Sequence, residues 1–193
     1  MTGHEWDLPR SLNVGGVVYP IRTDFRVVLD VLRAFNDPDL DDAGKNCVML
    51  RLIFPGWRDI PKAHLEDALR AASDFIDNGN KPNGKNHPKM IDWEQDAPLI
   101  IPAVNAVAHA EIREMQDLHW WTFLGWFMEI RESTFSSILY IRDKRIKGKP
   151  LEKWEKEFIR DNRHLVDFRK RKSEAETAEE IAEKAYYAKW GLG

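Results

Sequence analysis

Apolar positions along this chain recur mostly every three or four residues, the spacing of one face of an α-helix. The exception comes first. Residues 11–21, SLNVGGVVYPI, place two β-prone runs on either side of Gly15-Gly16, a dipeptide suited to a tight hairpin turn. Thr23 or Asp24 then caps a helix with Phe25, Val28, Leu29, Leu32 and Phe35 on one face. NDPDLDD breaks it, a second helix runs from about Asp42 to Phe54, and PGW stops that one. Pro61 opens a third, with Leu65, Leu69, Ala72 and Ile76 in line, and Asn78-Gly79 ends it as a left-handed cap would. A polar loop, GNKPNGKNHPKM, follows over 79–90. Asp96 caps the next helix, which continues to about Met115, although Pro98 and Pro102 blur its start.

The most apolar stretch is DLHWWTFLGWFMEI, residues 117–130. On a helical wheel, Thr122, Glu129, Gly125 and His119 share roughly one third of the circle. Trp120, Trp121, Phe123, Leu124, Phe127, Met128 and Ile130 fill an arc of about 200°, around twice what a surface helix needs to reach a core. Such a helix is central, or partly uncovered and awaiting a partner. Gly125 costs about 1 kcal/mol against Ala in a helix, which points to close packing there. Ser133 or Thr134 begins another helix carrying Phe135, Ile138, Leu139 and Ile141, and Gly148-Lys149-Pro150 ends it. From Leu151, Trp154, Phe158, Leu165 and Phe168 mark a further apolar stripe. The expected fold is mainly α: a single helical domain of about six to seven helices with a small N-terminal β-hairpin at 11–21. That domain spans 1–172, and 173–193 is a charged amphipathic C-terminal helix or tail, with Ser173-x-x-Glu176 and Thr177-x-x-Glu180 fitting capping boxes.

Composition narrows the function. The chain has 193 residues, 43% hydrophobic and 32% charged, a balance typical of a soluble globular protein with a proper core. Its net charge of -3 points to no nucleic acid or membrane by itself. Charge is uneven, however: residues 142–172 hold 13 Lys/Arg against 6 Asp/Glu, and 173–189 hold five Glu and two Lys. The aromatics of the basic segment fall at helical spacing and acids are mixed in, which favours a solvated or protein-docking face over base stacking. No apolar run is long enough to span a bilayer. The N-terminus lacks a basic region followed by an apolar run, so a cytoplasmic protein is expected.

Motifs that suggest chemistry fail on inspection. GNKPNGKN (79–86) nearly matches a P-loop, but Asn86 stands where the magnesium-binding hydroxyl belongs, and a helix rather than a strand precedes it. DPDLDD (37–42) would make a calcium loop only with Gly and Glu where Asp42 and Val48 stand, so it reads as a turn and an acidic helix start. Cys47, the only cysteine, shares a face with Leu50 and Phe54 and reads as a buried small hydrophobe. No two of the six histidines lie four apart, and there is no HExxH, so no metal site is expected. His119 reads as a satisfied histidine near a helix start rather than a catalytic one. No catalytic residue, cofactor or metal is therefore expected, and the chain reads as a non-enzyme.

Several pieces, taken in order, resemble the gene-product-fifteen family of tailed bacteriophages and prophages. They are LNVGGVVYPIRTDFRVVL, with its Tyr-Pro-Ile-x-Thr-Asp-Phe-Arg run at 19–26; DWEQDAPLIIPAV; DLHWWTFLGWFMEI, whose Leu118–Phe123 part is the most specific; and FSSILYIRDKRIKG. The likeness covers roughly residues 8–165. Pro98, Pro102 and the Gly-, Asn- and Lys-rich loop at 79–90 depart from it, and the tail from about Lys172 is an addition. The resemblance implies a gene lying between those of the major tail protein and the tape measure, a position typical of tail assembly chaperones. It brings no catalytic residues. The expectation is a chaperone in the bacterial host cytoplasm that binds apolar segments of the tape measure, or of another tail protein. The alternative is a minor structural component that stays in the virion. A nucleic-acid-binding phage protein and a small hydrolase are more distant rivals, and a homo-oligomer is left open. The candidate partner-binding or core residues are Trp120, Trp121, Phe123, Leu124, Trp126, Phe127, Met128, Trp154 and Phe158.

Overall fold

The computed structural model describes residues 6–78 and 88–169, together with Thr177. Two short strands, β1 (Ser11–Val14) and β2 (Val17–Pro20), pair antiparallel with Val14 opposite Val17. Gly15 and Gly16 turn the hairpin at φ 58° and 86°, and the Asn13 side chain accepts from the Gly16 N–H. Gly15 has a second reason to be glycine, because a Cβ there would overlap the His64 ring. Leu12 and Val14 face the core, while Val17 and Val18 on β2 stay exposed.

Eight α-helices follow among the described residues, giving the mainly α fold with its N-terminal hairpin. In α1 (Phe25–Phe35), Asp24 is the cap, and its carboxylate accepts from the Arg26 N–H at 2.9 Å. Phe25, Val28 and Val31 are buried. Phe35 is not, because Asn36 closes the helix at the surface, bonding back to Leu32, Arg33 and Ala34 carbonyls. α2 (Asp42–Ile53) starts on Asp41, which accepts from the Gly44 N–H, so the acidic run is a turn and a helix cap. Met49, Leu50, Ile53 and Phe54 go inward. Cys47 lies off the side of that face and is exposed, not buried as its spacing suggested. Two 3-10 turns (Trp57–Asp59 and Lys62–His64) lead into α3 (Leu65–Ile76), which buries Ala68, Ala72 and Phe75. Asn78 ends this region in the left-handed conformation, φ 54°. The P-loop-like stretch 79–86 lies outside the described residues, as does the C-terminal tail apart from Thr177.

α4 (Ala97–Ala108) is shorter than its pattern implied. His109 turns left-handed at φ 52°, and the chain leaves the helix. The Asn105 side chain then accepts from the Ile112 N–H and donates to Glu111, which folds 109–115 into a loop that buries Ile112. α5 (Trp120–Met128) crosses next to α4, and α6 (Thr134–Ile146) begins with a capping box between Ser133 and Ser136. α7 (Lys153–Asp161) and the single turn α8 (Arg163–Val166) close the described chain. The apolar interior has two parts. One large cluster joins the hairpin, α1 to α5 and Phe135; a small one joins Ile138, Ile141 and Val166, with Phe158, Ile159 and Leu165 packed against it.

Candidate interaction surface

The helix that raised the question of a partner is held by polar bonds at its start. His119 is its cap: Nδ1 accepts from the Trp121 N–H at 3.1 Å, and Nε2 lies 2.9 Å from the Pro9 carbonyl. The first bond leaves Nδ1 unprotonated and makes Nε2 the donor. Burial of the ring holds the His119 pKa below its ordinary value, and Arg10 pushes the same way against the Pro9 bond. The two tryptophans then terminate α3. Trp120 Nε1 donates to the Ile76 carbonyl and Trp121 Nε1 to the Phe75 carbonyl, each at 2.8 Å. Carbonyls in the last turn of a helix have no partner within it; the Trp120 indole satisfies that of Ile76, and the Trp121 indole adds to the bond that the Phe75 carbonyl accepts from the Asn78 N–H. Leu118 and Trp120 also pair with Thr23 and Phe25: the Phe25 N–H donates to the Leu118 carbonyl, and the Trp120 N–H to the Thr23 carbonyl at 2.7 Å.

The side chains of α5 mostly serve the interior. Trp120 and Phe123 are buried, stacked on each other at 5.6 Å, and Phe123 stacks on Phe25 at 4.7 Å. Trp121, Leu124, Trp126 and Phe127 are partly buried against the same core. Trp93 covers another side, 5.0 Å from Phe127 and 6.1 Å from Trp120. Of the wide arc, only Met128 is left open, 74% exposed. Gly125 corrects the expectation of close packing, since a Cβ there would meet nothing within 4 Å. This glycine stands on the open side of the helix. Around them lie half-buried Trp126 and Ile130 and exposed Glu129, Arg131 and Glu132. The other two candidates lie elsewhere. Trp154 on α7 is 48% exposed, and Phe158 packs partly on the small cluster.

Sequence reasoning missed a polar seam. Arg142 on α6 is buried and uses all five of its N–H groups. Nη1 and Nη2 meet the two oxygens of buried Asp96 at 2.7 and 2.9 Å, and the remaining donors reach the carbonyls of Met90, Leu165 and Val166. Asp96 stands at the start of α4 as expected, but its carboxylate serves Arg142 and the Asp92 N–H rather than capping the helix. The rest of DWEQD is equally engaged. Asp92 accepts from the Glu94 and Gln95 N–H groups and from Lys89; burial would raise its pKa, but these bonds outweigh it and hold the carboxyl low. Gln95 binds Asp167 and His164 carbonyls and the Arg169 N–H. Arg26, from the first motif, pairs with Asp24 and donates to the carbonyls of Ile112, Arg113 and Met115.

The four motifs quoted above therefore interlock: TDFR against LHWW, Trp93 against LHWW, and Asp96 against Arg142. A family model described as bacteriophage Gp15 protein matches residues 6–168, which takes in all four. The chain belongs to that family. It is a phage protein, and the match stops just before the basic run at the C-terminal end. No curated protein and no solved structure matches the chain. Among the described residues no helix is long and apolar enough to cross a membrane, and no group of three or more His, Cys, Asp or Glu is placed to hold a metal ion.

Proposed function

We propose that this family member assists phage tail assembly as a non-enzymatic chaperone, holding an apolar helical segment of the tape-measure protein until tail subunits replace it. The observation that supports the reading is the open end of α5. There Met128 stands exposed beside Gly125, whose lack of a side chain leaves room for another backbone to come close. Glu129, Arg131 and Glu132 around it carry both signs of charge, which suits capture and release more than permanent burial. The patch is small, so the complex is reversible and one chain covers only a short stretch of its client. No residue is given a catalytic role.

Co-expression with the cognate tape-measure protein tests this. The client is expected to be soluble and to co-purify with the wild-type chain, and to lose both properties with Met128→Lys, which leaves the core untouched. A client equally insoluble with the wild-type chain rejects the proposal. Peptides of this chain in finished virions would favour the alternative, a minor structural component.

A further inference from the structure

A second exposed surface lies away from α5, on α6 and α7. Tyr140 and Trp154 are 51% and 48% exposed, and a polar thread joins them. Lys144 Nζ sits 5.1 Å from the Tyr140 ring centre and 3.9 Å from Glu152, and Glu152 accepts from Trp154 Nε1 at 3.0 Å. Lys144 itself is committed to the buried carboxylate of Glu155, at 2.6 Å. Lys149, between α6 and α7, and Lys153 and Lys156 on α7 are exposed, and no described residue pairs with them. Exposed aromatic rings and exposed lysines on these neighbouring segments suit an acidic segment that carries aromatics of its own.

The chain supplies such a segment. Glu176, Glu180, Glu183, Tyr187 and Trp190 recur every three or four residues, the spacing of one helical face. α7 is about 13 Å long, and the chain between Arg169 and Glu176 can extend roughly 20 Å. We propose that the acidic face of residues 174–190 docks in cis on the Tyr140–Trp154 surface, pairing its glutamates with Lys149, Lys153 and Lys156. This inference is independent of the tape-measure reading, because it concerns a different face and a partner within the chain.

Amine labelling of the full-length protein, read by mass spectrometry, tests it. Lys153 and Lys156 are expected to label several-fold more slowly than exposed Lys62. In the variant Glu176→Lys/Glu180→Lys/Glu183→Lys, which alters none of the core, they are expected to label as fast as Lys62. The slow rate should hold on dilution. Lysines that label at the Lys62 rate in the wild-type chain would overturn the proposal and leave the surface open to another protein. Protection that vanishes on dilution would also overturn it, since the segment would then sit on a second copy.

Discussion

Two seams hold this molecule together, and they use different physics. Around α5 the joint is aromatic: Phe25, Trp93, Trp120, Phe123 and Phe127 pack ring on ring, and polar atoms appear only at the rim, where indole and imidazole groups finish helix ends. Between α4, α6 and α8 the apolar cluster is small, and a buried arginine does the joining. The first seam gains from burying area and tolerates some rearrangement. The second gains little net energy from its ion pair, because both charges were taken out of water. Its strength lies in the penalty for breaking it. The C-terminal helices are thus fixed in position by a group that cannot be left alone.

The aromatic seam breaks with the largest effect. Trp120→Ala alone should cost about 3–5 kcal/mol, and it also orphans the Ile76 carbonyl. Adding Trp121→Ala removes a second ring and its bond to the Phe75 carbonyl, which keeps only its bonds from the chain just after α3, and the pair should consume most of the ~5–15 kcal/mol that a domain has. Denaturant unfolding followed by near-ultraviolet circular dichroism should then show no cooperative transition. A midpoint close to wild type would mean the rings serve a partner rather than the fold.

Arg142→Met comes next, at about 3–5 kcal/mol, because Asp96 is left charged and buried without its partner. Hydrogen exchange should show α8 opening before α1. Adding Asp96→Leu should recover part of the loss but not all, since the carbonyls of Leu165 and Val166 still lose their donors. If the single and double variants unfold at the same midpoint, the pair is not what fixes the second seam.

This contrast also explains what could be read from the sequence. The hairpin follows from Gly15-Gly16 between β-prone runs, and α1, α2, α3 and α6 from apolar spacing and caps. Such features are local, and so is the evidence for them. The Arg142–Asp96 pair joins residues 46 apart, and nothing near either one marks it as buried. The end of α4 was hidden for a similar reason. Asn105, Glu111 and the reach of Arg26 fold 109–115 into a loop, while the apolar spacing runs on to Met115. For α5 the width of the apolar arc was legible, but not its cover. Trp93 and Phe25 close most of it from distant parts of the chain, leaving Met128.

The seams should also separate in pH. His119 belongs to the first, and its folded pKa is below the ordinary value of about 6.5. The unfolded chain therefore binds more protons as pH drops below that value. Its contribution is present above pH ~6.5 and is lost as pH falls toward the folded pKa. The second seam leans on Asp92 and on Asp167, which Arg145 and Arg163 hold low. Their contribution is present above the ordinary Asp value of about 3.9 and is lost only as pH falls below it, through the folded pKa values. Stability measured by urea unfolding should fall first as pH drops below about 6.5. His119→Asn, which keeps an acceptor at the cap, should flatten that first step and leave the more acidic one.

The smallest effect lies at the open end of α5. Gly125 is helical and a Cβ there would meet nothing, so Gly125→Ala should stabilise the domain, by up to about 1 kcal/mol. A midpoint shift of that sign in urea places the position on a free face. A loss would mean that a neighbour does pack there and that the aromatic seam is more closed than its contacts show. The same variant sharpens the functional reading. If a client helix approaches at Gly125, the added methyl group opposes it, so the more stable protein should capture the tape-measure protein less well. Gly125→Ala that stabilises and still captures normally would leave Met128 as the contact and move the client off the glycine.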